Sequence, residues 1–233
     1  MQTGLLLNSL ICFIISGISF WVFYTIIKSK GLKQEDKYFS FFWLFVSLTW
    51  FFVAMGLVFF ERNKTGYDLL INKYAVQPLI FLHLSLGVTY AFSRFCKAKI
   101  CNLAILCLAL LASAYALYII FQPAGFHLVE YTYFSVEYYI NPSSWGLFQV
   151  IITLGLSVLV LDILRSIWKN LKTKKIIQNK YFLASLSIFV YAIIGYFDNQ
   201  GYNATWIMVF FRLMIILSAL LAFLAFNSKK SST

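Results

Sequence analysis

The sequence predicts an all-α membrane protein: a seven-transmembrane-helix bundle with its amino terminus outside and its carboxyl terminus in the cytoplasm. Three observations predict it. The chain is 61% hydrophobic with a mean hydropathy of +0.81, above the roughly 45–50% apolar content of soluble domains. Its apolar residues gather into seven runs, each near the ~20 residues that cross a bilayer as a helix. Lys and Arg crowd into alternate connections, which sets orientation by the positive-inside rule.

The runs are Leu5–Ile27, Tyr38–Phe60, Tyr74–Phe95, Ile100–Phe121, Trp145–Ile167, Tyr181–Tyr202 and Asn203–Phe226. No linker separates them, so residues 1–233 are expected to form one domain. The first run lacks a preceding basic segment and is long enough to span, so it reads as a retained helix rather than a cleaved leader. Lys28, Lys30, Lys33 and Lys37 follow it. Arg94, Lys97 and Lys99 follow the third span, and Arg165, Lys169, Lys172, Lys174, Lys175 and Lys180 surround the fifth connection. With Lys229 and Lys230, these are fifteen of the nineteen Lys and Arg. The other side holds only Arg62, Lys64 and Lys73, apart from Arg212 inside the last span.

Two connections on the sparse side are longer. Glu61–Lys73 carries the apolar pair Leu69 and Leu70 and reads as a short interfacial helix or a plain loop. In 122–144, Pro123 and Gly125 open and Asn141-Pro142 close a run from Tyr131 to Tyr139 that is rich in aromatic and β-branched residues. Such density favours extended backbone between turn residues. A short β-hairpin or strand over the outer mouth is expected, with an aromatic interface belt as the equal alternative.

The net charge of +11 does not imply nucleic acid, because the basic loops are short and interleaved with spans. They are expected to face anionic lipid headgroups. Cys12 and Cys107 lie within spans, and Cys96 and Cys101 flank a loop where thiols are expected to stay reduced. His83 and His127 are the only histidines, and no His-x-Glu, HExxH or Cys cluster offers a metal site. No Gly-x-Ser-x-Gly elbow is present. No enzyme activity, cofactor or metal is therefore expected.

Arg212 stands out. A cation at the centre of a span costs roughly 2.5–3.5 kcal/mol on insertion scales, so it usually faces a partner or a wet cavity. Its span, Trp206–Phe226, holds no lysine, which excludes a retinal Schiff base there. At ~1.5 Å per residue, Arg212 and His83 lie at similar depth in the outer half of the bundle. Asp198 sits near the outer end of span six, within reach of a long Arg212 side chain. Gln77 lies above His83, and Tyr191, Tyr196, Trp206 and Trp50 could line the same region. A pocket of aromatic walls and few polar groups suits a small molecule. The structural alternative is an Asp198–Arg212 pair that locks spans six and seven. Asp162 and Arg165, three residues apart, read as a surface ion pair.

Phe41-Phe42-Trp43 through Trp50 to Gly56 and Glu61, then Gln77-Pro78, then Ser144-Trp145-Gly146 before the fifth span and a basic connection before the sixth, form a recognisable layout. It resembles the seven-helix sensory region at the amino terminus of many bacterial histidine kinases. That resemblance implies a non-enzymatic sensor of an external or membrane-dissolved ligand in the bacterial inner membrane. The chain stops at Thr233 without a signalling domain, so a stand-alone relative would act through a partner protein. A small-solute transporter or substrate-binding subunit is the main alternative, and an accessory structural subunit the next.

Overall fold

A computed structural model describes residues 3–29, 31–61, 65–131, 136–170, 179–199 and 205–227; the side chains of 3, 65, 130, 131, 170, 198, 199, 205, 206 and 208 are outside that description. It contains helices α1 (Thr3–Ile27), α2 (Gln34–Glu61), α3 (Thr65–Ile71), α4 (Gln77–Ser93), α5 (Lys99–Phe121), α6 (Gly146–Asn170), α7 (Lys180–Asn199) and α8 (Thr205–Asn227). Seven rods, with α3 and α4 joined into one, are long and apolar enough to cross a membrane. The chain is thus read as a multi-pass membrane protein.

Its surface supports that reading. On α8, Leu213, Leu217, Leu220 and Leu224 are exposed, while Ile215, Ser218, Ala219 and Ala222 are buried. Large apolar groups face out and small ones face neighbouring helices, as packing in lipid favours. Hydroxyl groups stitch the same seams. Ser9 donates to the Ala54 carbonyl (3.0 Å) and Ser47 to the Ser16 carbonyl (2.9 Å), joining α1 to α2. Ser218 donates to the Ser187 carbonyl (2.6 Å), joining α8 to α7.

The rods close on themselves: α1 packs on α2 and α8, α7 on α8 and α6, and α4 on α2, α5 and α6. The main core runs along α2, whose buried residues Asp36, Trp43, Ser47, Trp50, Ala54 and Leu57 keep helical spacing. A second apolar cluster of Phe81, Ile120, Phe126 and Phe148 joins α4, α5 and α6 to the hairpin.

The third rod begins at Thr65, earlier than the Tyr74 expected. The segment read as an interfacial helix or loop is helix α3, continued into α4 by a wide π-helical turn, Asn72–Val76. The Gln77 N–H reaches back five residues to the Asn72 carbonyl. Pro78 follows and has no N–H to give, so the regular ladder cannot run through this point. The turn is held from outside: Asn72 Nδ2 donates to Asp68 Oδ1 (3.2 Å) and to the Tyr138 hydroxyl (3.2 Å). α2 approaches here at Gly56, where an added methyl group would come within 2.6 Å of Asp68 Oδ1.

The expected hairpin is present: β1 (Phe126–Tyr131) pairs antiparallel with β2 (Val136–Ile140), with an irregularity between Leu128 and Glu130. Its tip, 132–135, lies outside the described residues. Phe126 stacks on Tyr138, and its ring enters the second apolar cluster. This marks one end of the bundle as the hairpin end. The opposite end, where α1 meets α2, α4 meets α5 and α6 meets α7, is the basic end.

Candidate functional site

Polar side chains gather at two levels, and the middle of the bundle is the first. His83, 2% exposed, sits on α4 between α2 and α7. Its Nδ1 lies 3.4 Å from Thr49 Oγ1 and its Nε2 lies 3.3 Å from the Tyr191 hydroxyl. Thr49 gives its hydroxyl proton to the Phe45 carbonyl (2.7 Å). It can therefore only accept from His83, through Nδ1–H, and the Tyr191 hydroxyl can pair with Nε2 in either direction. Both ring nitrogens are engaged. Phe42 meets the ring edge-on, with centroids 5.7 Å apart. This histidine ties three helices together.

Arg212 lies on the buried stripe of α8 and is 7% exposed. Its guanidinium carbon stands 4.1 Å from the centroid of a Trp50 ring. Cation–π contact of this kind partly replaces lost hydration. Thr49 and Trp50 are successive residues of α2, so His83 and Arg212 share one level, as the sequence depth suggested. They are not in one pocket: α2 stands between them and presents a different face to each. Gln77, 5% exposed, lies on α4 beyond His83 toward the hairpin end, and its Oε1 has no hydrogen-bond partner among the described residues.

One expected lining residue stands differently. Tyr196 is 54% exposed and meets Phe197 rather than the interior. Five residues past the buried Tyr191 is about 140° round the helix, which turns it outward. The side chains of Asp198 and Trp206 lie outside the described residues, and with them the expected Asp198–Arg212 pair.

The second level is at the basic end, where the sequence reading saw mainly topology. Asp162 is 2% exposed. It does not pair with Arg165. Its Oδ2 accepts from Arg94 Nε (3.2 Å), just past the end of α4, and from Ser185 Oγ (2.7 Å) on α7. Arg165 instead stands 5.8 Å from the Phe95 ring. The spacing of Gly155, Leu159, Asp162 and Ser166, all buried, shows why: Asp162 is on the inward stripe of α6. That stripe was visible in the sequence as small and polar residues at helical intervals within an apolar run. Arg94 also lies flat over Tyr181, 3.7 Å from its ring centroid.

Beside this cluster, Lys180 Nζ meets the buried Asp36 Oδ1 at 2.7 Å, linking α7 to α2. Asn179 Oδ1 caps α7 by accepting from the Tyr181 (3.0 Å) and Phe182 (3.4 Å) amides. A cavity of about 380 Å³ opens here, lined by Arg94, Lys97, Arg165, Lys169, Asn179 and Tyr181 with Asp162 at its base. A smaller, almost wholly apolar hollow lies between α4, α6 and α7 around Gly87, Val88 and Gly155.

Cys96 and Cys101 meet as a disulfide with Cα atoms 6.5 Å apart, where the sequence reading expected two thiols. The tight connection from α4 to α5 brings them together. Among the described residues, no three His, Cys, Asp or Glu side chains gather in a way that would hold a metal ion.

The chain matches no protein-family profile, no curated protein and no solved structure. Its functional reading therefore rests on the residues themselves.

Proposed function

We propose that this chain is a non-catalytic integral membrane sensor or binding module. It takes a small or membrane-dissolved ligand beside Arg212, in the half of the bundle nearer the hairpin, and acts through a partner protein. The observation that carries the reading is a guanidinium on the inward stripe of a membrane-spanning helix, stacked on Trp50. A ligand there would touch α2 and α8, and it would shift the bundle only by binding one packing of those helices better than another. The layout shared with the sensory region of bacterial histidine kinases supports the same class of function.

The lysine distribution puts the hairpin end outside and the basic end in the cytoplasm of a bacterial inner membrane. The Cys96–Cys101 pair points the other way, because disulfides persist on oxidising sides. The charge rule is preferred: it rests on fifteen residues in several connections, and the cysteine pair on proximity enforced by a separation of five. Labelling a cysteine placed at Lys37 from one side of sealed vesicles tests the orientation.

A solute transporter is the second reading. It is favoured by polar side chains along α7: Tyr191 at mid-depth, and Ser185 with Asp162 toward the basic end. Robust solute uptake into proteoliposomes would replace the sensor reading with this one. For the binding site itself, Arg212→Leu is expected to fold as the parent does and to lose the protein's response to its ligand. A variant that folds and responds fully removes the site.

A further inference from the structure

The cavity at the basic end has features that helix orientation alone does not require. Four cations line it, and the lone carboxylate among its lining residues, Asp162, is already engaged by Arg94 and Ser185 on a single oxygen. Arg94 is held on two sides, by Asp162 through Nε and by the Tyr181 ring 3.7 Å from its guanidinium carbon. Its bond to Asp162 uses Nε, not the terminal nitrogens. Lys97, Arg165 and Lys169 add three further charges around the opening, and among the described residues none of them forms an ion pair with a carboxylate.

A planar guanidinium with two contacts that lines a cavity can offer its terminal N–H pair to the paired oxygens of a phosphate group. The flanking lysines supply point charges that neutralise it. The volume falls within the range of small-ligand pockets, roughly 300–1,000 Å³. We propose that this cavity is a binding site for a phosphate-bearing anion, coordinated by Arg94 and neutralised by Lys97, Arg165 and Lys169. Two sources carry that chemistry: the headgroup of an anionic lipid at the bilayer surface, and a soluble phosphate. The site is separate from the one beside Arg212 and does not depend on it.

The test uses the full chain in phosphatidylcholine nanodiscs, with and without phosphatidylglycerol, and with inorganic phosphate as the soluble probe. Retained lipid is read by native mass spectrometry and phosphate binding by calorimetry. The variant is Arg165→Gln with Lys169→Gln, which leaves the Arg94–Asp162 pair in place and so preserves the fold. The control is Lys28→Gln with Lys37→Gln, an equal loss of charge at the same end but away from the cavity.

The expected result is a loss of affinity of about tenfold or more in the cavity variant and less than about twofold in the control. Phosphatidylglycerol that stays bound against excess inorganic phosphate assigns the site to the headgroup; displacement by inorganic phosphate assigns it to a soluble anion. Equal losses in the two variants would reduce the cavity to diffuse surface charge and overturn the proposal. So would the absence of saturable binding by either probe. Arg94→Lys provides a second reading: it keeps the charge but not the fork, and is expected to weaken binding about as much as the double variant.

Discussion

The middle of the bundle and its basic end solve the problem of polar groups among apolar helices in opposite ways. At mid-depth, the two nitrogens of His83 are met by hydroxyl groups, and rings close around it. The Arg212 guanidinium lies over the Trp50 ring. At the basic end, charge meets charge: Arg94 with Asp162, and Lys180 with Asp36. The second region also opens a cavity of about 380 Å³. Burial does not separate the two, since His83 and Asp162 are both 2% exposed. What differs is the partner: hydroxyl groups for the histidine, a cation for the carboxylate.

The largest expected effect tests the charged region. Arg94→Gln leaves Asp162 buried with Ser185 alone, and should lower stability to unfolding in detergent by about 2–3 kcal/mol, the exposed part of Arg94 reducing the cost of breaking a buried pair. Replacing both partners with leucine should recover most of it. A loss below ~1 kcal/mol would make this pair no more than a surface contact and erase the contrast. Next comes the middle of the bundle. Tyr191→Phe removes the hydroxyl that meets His83 Nε2 and should cost about 1–2 kcal/mol by the same measurement. An unchanged midpoint would mean that the ring is held by packing alone.

Arg212→Lys sharpens the comparison further. It keeps a charge at mid-depth but loses the flat stack on Trp50, with an expected cost of about 0.5–1 kcal/mol. Tryptophan fluorescence should shift in the same variant, and a spectrum like the parent's would argue against the stack. Tyr196→Leu is the smallest. An exposed tyrosine on the outer face of α7 should alter stability by less than about 0.5 kcal/mol. A larger loss would place that residue in an interface.

The sequence made the rods legible because hydropathy is a bulk property: about twenty apolar residues in a row have one common solution in a bilayer. The hairpin was legible for a local reason, since Tyr131–Tyr139 combines strand formers with turn residues at its borders. The shared level of His83 and Arg212 followed from helical rise alone. What each polar group faces was harder to read. Asp162 and Arg165 are three residues apart and look paired, yet the inward stripe of α6 takes only Asp162. Tyr196 and Tyr191 differ by five residues and fall on opposite sides. The Arg94–Asp162 contact joins residues 68 positions apart. Charges near helix ends were read as orientation signals, and that reading hid the partnerships some of them form.

The wide turn at Asn72–Val76 has a further consequence. A π turn holds one residue more than an α turn, so it offsets the phase of everything before it by about 100° relative to everything after. Deleting one residue there would remove the extra residue of the turn, although Pro78 would still interrupt the hydrogen-bond ladder. It would also rotate Asp68 away from Gly56 and break the tether from Asn72 to the hairpin. The irregularity therefore acts as a fixed angular adjustment between the lid of the molecule and its shaft, and a shorter, more regular chain would be the worse fit.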